Sequence, residues 1–310
     1  MDIVTKTVKD IVSLKIQGAT NVRKKAVIAL VKATKSSKAK TPEDFRKEFL
    51  KNAQKLFTAR PTEPELRTAI RILKKCISKE ELSVKEMKHH ILQTQEKYEK
   101  DRADSLKRIS EYGAELIKPG AVILTLCHSS SVVNMLIKAK GKIKKVYCCE
   151  TRPLYQGRIT VSQLTKAGIN ATLIIDNAAS TVLKECDYFF TGADAFLADG
   201  DVINKIGTNQ ISTLCKRYST AHYVVTSTHK FEPSSFFGKD EPIEQRSPDE
   251  VLEKKLRGRI KVINPAFDRT DSQYIEGIIS EIGIFPPEAL AAELYKKLQL
   301  GKHHEDFLKL

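Results

Sequence analysis

The chain has 310 residues, 41% of them hydrophobic and 29% charged, which is the composition of a globular protein with room for two domains. Its net charge is +15, but the basic residues are spread along the chain without an arginine-rich or aromatic-interleaved patch, so we do not expect nucleic acid as a partner. No apolar run approaches the roughly 18 residues of a membrane span, and the N-terminus lacks a signal peptide's apolar stretch, which predicts a cytoplasmic protein without a membrane partner.

Residues 1–118 are predicted to form a helical N-terminal domain. Apolar residues recur at helical spacing in four segments, 2–16, 22–35, 41–59 and 78–117. Thr41 and Pro42 mark a helix start, with threonine at the N-cap and proline in the first turn. The segment ARPTEPE (59–65) interrupts the helices, and KPGA (118–121) marks the boundary to a second domain.

Residues 119–310 are predicted to form a Rossmann-like α/β domain. Short apolar runs, typical of buried strands, alternate there with helical patterns. The strands are predicted at 121–127, 144–150, 171–176, 186–193 and 221–227, and the helices at 129–141, 157–168, 179–185 and 209–219. This alternation favours right-handed βαβ units and a parallel sheet with helices on both faces. No GxGxxG motif follows the first strand, so we expect no dinucleotide cofactor.

The cysteines and histidines do not indicate a metal site. The six cysteines lack CxxC spacing, and reduced thiols are therefore expected. The His-His pairs at 89–90 and 303–304 fall in lysine-rich, helical sequence. We expect neither a metal nor another cofactor.

Polar residues follow each predicted strand, and ligands of open parallel sheets bind at the carboxyl ends of the strands. The residues are Cys127, His128 and 129–131; Glu150, Arg152, Gln156 and Arg158; Asp176 and Asn177; Asp194; and 226–230. The serine-rich start of a helix offers donors to a phosphate. Lys205 and Lys230 add positive charge, and a cysteine with an aspartate can transfer protons.

Each of these residues also has a purely structural interpretation. Cys127 alone is more often a small buried hydrophobe, and 129–131 can simply cap a helix. Glu150 and Arg152 can form an ordinary ion pair, and the segment NKIGT (204–208) can be a plain helix start. The functional interpretation therefore depends on the combination.

Six motifs together carry a resemblance to a known family. They are CHSSS (127–131), ETRPLYQGR (150–158), GADAFLADGDVINKIGT (192–208), THKF (228–231), INPAFDRT (263–270) and IGIFPPEAL (282–290). In this order they resemble the initiation factor 2B and sugar-phosphate isomerase superfamily, over essentially the whole chain. Three branches are candidates: archaeal-type ribose-1,5-bisphosphate isomerase, methylthioribose-1-phosphate isomerase, and alpha-type regulatory subunits of translation initiation factor 2B.

The resemblance implies site residues. The isomerase branches carry a cysteine after the first strand and an aspartate in a GAD motif, which match Cys127 and Asp194. The implied or candidate substrate contacts are Gln17, Gly18, Ala19, Arg60, Ser129, Ser130, Ser131, Glu150, Arg152, Gln156, Asn204, Lys205 and Lys230. The ribose-bisphosphate branch fits best, through CHS, ETRP, NPAFD and PP.

One motif departs from the isomerase pattern. Both isomerase branches carry Arg-Gly-Ala near the N-terminus, where this chain has Gln17-Gly18-Ala19. Glutamine donates hydrogen bonds but lacks the bidentate, charged grip of arginine on a phosphate. Arg23, one helical turn later, is a candidate for compensation. The departure favours the regulatory alternative.

The resulting prediction is a metal-free isomerisation of a pentose 1-phosphate, with ribose 1,5-bisphosphate as substrate and ribulose 1,5-bisphosphate as product. Cys127 is the predicted proton acceptor, activated by the helix start at 129–131. Asp194 is the predicted proton donor, desolvated at the end of its strand. The resemblance further implies a homo-oligomer, either a dimer or a hexamer.

Overall fold

A computed structural model describes residues 1–256, 258 and 260–300 of the chain. His303 and His304 therefore lie outside the described residues. The helices of the N-terminal half are α1 (Ile3–Val12), α2 (Ala19–Ser36), α3 (Pro42–Phe57), α4 (Pro64–Lys75) and α5 (Val84–Leu116). Among the residues that the structure describes, no helix is long and apolar enough to cross a membrane.

The start of α3 is the one that the sequence predicts. The side chain of Thr41 accepts a hydrogen bond from the Asp44 backbone N–H, and Pro42 occupies the first turn. The helices pack around an apolar core that includes Val27, Phe45 and Ile70.

Helix α4 was not predicted, because it begins inside the segment ARPTEPE (59–65), which was interpreted as a break between helices. Its buried residues include Leu66 and Ile70, but also the charged Glu65, Arg67 and Arg71. Leu66, Ile70 and Leu73 nevertheless lie on one face of the helix at the usual amphipathic spacing.

Helix α5 connects the two halves of the molecule. It begins with a capping box formed by Ser83 and Glu86 and has 33 residues, which corresponds to a length of about 50 Å. Its first part contributes Ile91 to the helical core, and its last part contributes Ile109 to the core beneath the large sheet. The domain boundary after residue 118 stays a prediction.

The second half is built on two sheets. The strands are β1 (Ala121–Leu126), β2 (Ile143–Cys149), β3 (Ala171–Ile174), β4 (Tyr188–Thr191), β5 (Ala195–Phe196), β6 (Val202–Lys205), β7 (Ala221–Val225), β8 (Phe267–Thr270), β9 (Gly277–Ser280) and β10 (Gly283–Phe285). The helices are α6 (Ser130–Lys138), α7 (Gly157–Lys166), α8 (Ala179–Val182), α9 (Thr208–Tyr218) and α10 (Pro287–Lys297).

The large sheet has the order β10-β9-β7-β4-β1-β2-β3, and all neighbours are parallel except β9 and β10. The predicted helical half followed by a Rossmann-like α/β half is thus confirmed. From β1 the chain proceeds to β2 on one side and later to β4 on the other. The carboxyl ends of β1 and β4 therefore flank the crevice where such sheets bind ligands.

The small sheet was not predicted. It has the antiparallel order β5-β6-β8, and it places Asn204 and Lys205 on β6. The prediction that NKIGT begins a helix is therefore wrong for these two residues, since α9 begins at Thr208. Strand β6 pairs with β8, more than sixty residues later, and local periodicity does not reveal such long-range pairing.

The β2–α7 connection yields the first prediction. A Cβ atom at Gly157 would lie 1.7 Å from the Cys149 carbonyl oxygen, whereas a Cβ at Gly141 would meet nothing within 4 Å. We expect Gly157→Ala to lower the free energy of unfolding by at least about 3 kcal/mol, because rigid backbone must move. Gly141→Ala should stay within about 1 kcal/mol of wild type. Urea denaturation measures both, and equal stabilities would contradict the packing described.

Candidate active site

The ends of β1 and β4 touch. A Cβ atom on Gly192, just after β4, would lie 2.8 Å from Ser129 Oγ and 2.9 Å from Ser129 Cβ, which follows β1. Only glycine permits this approach. It brings Cys127 and Asp194, the two predicted catalytic residues, to neighbouring strand ends.

Cys127 has an unusual backbone conformation. Its φ is +69°, which is uncommon for a residue other than glycine, asparagine or aspartate. The Cys127 N–H donates to Thr151 Oγ1 at 2.9 Å, and the Thr160 hydroxyl donates to the Cys127 carbonyl at 2.8 Å. Two threonines thus fix the backbone that carries the thiol, and strain of this kind is typical of functional sites.

Burial raises the pKa of the Cys127 thiol to about 11. The charge of Lys205 and the backbone N–H of His128 lower this pKa, while Asp194 and Asp176 raise it. Burial outweighs the effects that lower this pKa, and activation of the thiol by the helix start stays a prediction. These charge effects nevertheless place Lys205 and Asp194 within interaction range of the sulfur.

The serine run caps a helix, and its role as a phosphate contact stays a prediction. Ser129 is the N-cap of α6 and accepts from the Val132 N–H at 3.5 Å. Ser130 is exposed, and Ser129 and Ser131 are partly buried. Hydroxyl groups of all three lie at the start of a nine-residue helix, at the strand end that carries Cys127.

Arg60 and Lys205 meet at one aromatic ring. The Arg60 guanidinium carbon lies 5.8 Å and Lys205 Nζ 5.2 Å from the centre of the Phe267 ring. Arg60 also faces two carboxylates, with Nε 2.9 Å from Glu244 and Nη1 3.2 Å from Glu63. Arg60 comes from the helical half of the chain and Lys205 from the sheet half, and both contact the Phe267 ring.

Lys230 joins the same cluster from the end of β7. Its ammonium group donates to the carbonyl of Ala193, the residue before Asp194. Its charge also acts on Glu63 and Glu65. Lys230, Arg60 and Lys205 therefore all approach the end of β4.

Asn204 is buried, and its amide donates to Thr208 Oγ1 at 3.0 Å. The N–H groups at the start of α9 already have a partner. Asp268 Oδ2 accepts hydrogen bonds from Gly207 N–H at 2.7 Å and from Asn209 N–H at 3.2 Å. Burial raises the pKa of Asp268 to about 6. Asn204 and Asp268 thus shape the turn that presents Lys205. The sequence prediction assigned no role to Asp268.

The ion pair considered between Glu150 and Arg152 is not formed. Glu150 instead pairs with Arg158, with Oε2 and Nη2 3.1 Å apart. Arg152 is exposed and donates to the Tyr155 hydroxyl at 2.8 Å. Arg158 lies over the same Tyr155 ring, 3.9 Å from its centre.

Asp176 anchors the loop that holds these residues. Its two carboxylate oxygens accept from the N–H groups of Thr151 and Arg152, each at 2.7 Å. Oε1 of Gln156 is buried without a hydrogen-bond partner in the described part of the chain. This unpaired amide oxygen fits its predicted role as a substrate contact, which stays a prediction.

The N-terminal motif lies at the start of α2. Gln17 is exposed and donates to the Leu14 carbonyl at 2.8 Å, Gly18 has a φ of +79°, and Ala19 is buried as the first helical residue. None of the hydrogen bonds, ion pairs or charge effects found in 1–256, 258 and 260–300 links Gln17 to Cys127 or Asp194.

Arg23 does not replace the missing arginine as a free cation. It is buried, with Nε 3.1 Å from Glu65 and Nη1 2.5 Å from Glu99. Arg102 Nη2 also lies 2.8 Å from Glu65. Despite burial, the charges of Arg102, Lys230 and Arg23 lower the pKa of Glu65 to about 2. Glu65 and Glu63 were both missed, since ARPTEPE reads as a helix-breaking segment.

Comparison with known proteins identifies the family. The family model described as "Initiation factor 2 subunit family" matches residues 15–287. The chain belongs to this family. A ribose 1,5-bisphosphate isomerase of Methanocaldococcus jannaschii is 35% identical over 292 residues, covering 93% of each chain. The predicted superfamily is thereby confirmed.

Comparison with solved structures supports the same family and fold. The translation initiation factor eIF-2B of Pyrococcus horikoshii OT3 superimposes with a TM-score of 0.79 at 25% identity, covering 93% of this chain and 98% of its own. The 5-methylthioribose 1-phosphate isomerase of the same organism gives 0.77 at 31% identity, covering 94% and 87%. An isomerase and a translation factor are therefore both among the solved proteins that share this fold.

The raised pKa of Cys127 yields the second prediction. Because the thiolate fraction grows about tenfold per pH unit below the pKa, alkylation of Cys127 by iodoacetamide should keep accelerating from pH 7.5 to 9.5. Lys205→Ala should slow alkylation further, because the positive charge that favours the thiolate is lost. Mass spectrometry of the Cys127 peptide gives the rates. A plateau below pH 9 would show an ordinary or activated thiol instead.

Proposed function

We propose that the chain is an aldose–ketose isomerase that converts α-ribose 1,5-bisphosphate into ribulose 1,5-bisphosphate. The observation that carries this proposal is the pairing of Cys127 and Asp194 on the touching ends of β1 and β4, with Lys205 and Lys230 beside them. The isomerase relatives of similar length support the same reaction class.

The reaction moves protons without any net gain or loss. Asp194, as the acid, protonates the ring oxygen when the ring opens, and it later accepts the proton of the C2 hydroxyl as the ketone forms. Cys127, as the thiolate, removes the proton from C2 and returns it to C1. Lys205 is the cation whose charge favours this thiolate.

The phosphate groups require cations and N–H donors. The Phe267 ring holds Arg60 and Lys205 toward the site, and the start of α6 adds the hydroxyls of 129–131. Arg60 and Lys205 come from different halves of the chain, so we infer that substrate binds between the two halves.

The main alternative is a non-catalytic relative of the translation factor alpha subunit. The raised pKa of Cys127 and the exposed Gln17 favour it, as does the likeness to the Pyrococcus translation factor. Methylthioribose 1-phosphate is the alternative substrate, because the fold and motifs are shared with that isomerase. We further propose a cytoplasmic homo-oligomer, either a dimer or a hexamer.

Cys127→Ser is the third prediction. The variant should lose turnover of ribose 1,5-bisphosphate by at least about a thousandfold, because an alcohol is a far weaker acid than a thiol, yet should bind substrate nearly as wild type. Phosphorus NMR of the purified protein with ribose 1,5-bisphosphate, and separately with methylthioribose 1-phosphate, follows product formation.

Cys76→Ser is the matched control. Cys76 Sγ lies 3.1 Å from Thr94 Oγ1 at the end of α4, away from Cys127, and serine can keep that hydrogen bond. This variant should retain full turnover. If wild type converts neither sugar phosphate, the regulatory alternative replaces the isomerase.

Gln17→Arg is the fourth prediction. A charge-assisted contact contributes about 1 kcal/mol more than a neutral one, so the variant should bind ribose 1,5-bisphosphate several-fold to tenfold more tightly. Gln17 is exposed, and little stability should be lost. Titration calorimetry in the Cys127→Ser background measures the affinity without turnover. Unchanged bisphosphate affinity, with AMP bound by the chain carrying Gln17, would favour a regulatory pocket.

A further inference from the structure

Glu63 is a buried carboxyl group beside the proposed phosphate end of the site. Its side chain is 2% exposed, and Oε2 lies 3.2 Å from Arg60 Nη1. It is the N-cap residue of α4, but its side chain makes no capping hydrogen bond. The charges of Asp194 and Lys230 also act on it. Glu63 therefore shares its surroundings with both a proposed catalytic residue and proposed phosphate ligands.

The neighbouring carboxylates are better supplied with cations. Glu65 has Arg23 and Arg102, and Glu244 has Arg246 at 2.9 Å in addition to Arg60.

Arg67, on the next turn of α4, is directed to the Pro61 carbonyl and to Glu232 and Glu241. Glu63 is left with Arg60, which it shares with Glu244, and with Lys230, whose ammonium already donates to Ala193. Both cations that act on Glu63 are therefore shared with another acceptor.

We propose that Glu63 determines specificity for phosphate through its own protonation, a role that rests on the proposed function. As a neutral acid, Glu63 leaves the positive charge of Arg60 and Lys230 to a phosphate group of the substrate. As a carboxylate, it competes with that phosphate for the same cations and adds a negative charge beside Asp194.

The direction of the pH dependence follows from the charges. Burial, with Asp194 and Glu65 nearby, raises the pKa of Glu63 to about 8, while Arg60 and Lys230 oppose the rise. Glu63 is thus neutral at pH 7 and becomes a carboxylate as the pH rises through 8. Phosphate binding is present below that pH and is lost above it, by up to about tenfold per pH unit for one coupled proton.

The fifth prediction uses two glutamine variants. In wild type, KM for ribose 1,5-bisphosphate should show a basic limb, a rise of about tenfold per pH unit above about pH 8, while kcat separately follows the ionisation of Cys127. Glu63→Gln should lack this basic limb, because glutamine mimics the neutral acid. Glu244→Gln removes the other carboxylate from the same guanidinium, and it should keep the limb.

A spectroscopic test is independent of turnover. The infrared C=O band of a neutral carboxylic acid should be present in wild type at pH 7, disappear as the pH rises through 8, and be missing in Glu63→Gln. Glu63→Asp, which retains an acid, should keep the band. Absence of any acid band that Glu63→Gln removes would overturn the proposal, as would a basic limb that persists in Glu63→Gln.

A failure of the proposed function gives a different pattern of results. In that case ribose 1,5-bisphosphate is not converted, while the infrared band and the binding of inorganic phosphate at pH 7 and pH 9 still test Glu63. Phosphate that binds equally at both pH values in wild type overturns the role of Glu63, whatever the reaction.

Discussion

The buried charges of α4 and of the loop before it fix the relation between the two halves of the molecule. Glu65 pairs with Arg23 and Arg102 of the helical half, whereas Arg67 pairs with Glu232 and Glu241 of the sheet half. An unpaired buried charge costs several kcal/mol. Movement of α4 away from either half would leave such charges unpaired, so the crevice between the halves is held in place by electrostatics as well as by apolar packing.

The same constraint explains how a strongly basic chain can have a balanced site. The excess charge of +15 belongs mostly to exposed lysines, while Arg60, Lys205 and Lys230 meet Asp194, Glu63 and Glu244 at the site itself. Substrate phosphates must therefore compete with carboxylates of the protein. Affinity in such a site depends on which carboxyl groups are ionised, and this couples binding to pH more strongly than bulk charge would suggest.

Local sequence patterns predicted five parallel strands of the large sheet, β1 to β4 and β7, and the placement of Cys127 and Asp194 at strand ends, but they missed the parallel strand β9. They failed for α4, which begins inside a segment interpreted as a helix break, and for the small sheet, whose strands β6 and β8 are far apart in sequence. For the same reason Asn204 and Lys205 were assigned to a helix start. Glu63 and Asp268 could not be recognised, because a carboxylate is read as a surface residue until its burial is known.

The pKa of the Cys127 thiol also could not be predicted from the sequence. A helix start next to Cys127 suggested activation, but the balance among burial, Lys205 and Asp194 is set by the packing of three separate segments. Residue types therefore indicated the chemistry, while the three-dimensional surroundings determine the conditions under which it operates.

A crystal structure of the Cys127→Ser variant with ribose 1,5-bisphosphate tests the central claim most directly. The account predicts that C2 of the sugar lies roughly 3–4 Å from the serine hydroxyl, with the ring oxygen within hydrogen-bond distance of Asp194. It also predicts a phosphate on Arg60 or Lys205. A sugar bound elsewhere, or bound in the crevice with C2 directed away from both residues, would contradict it.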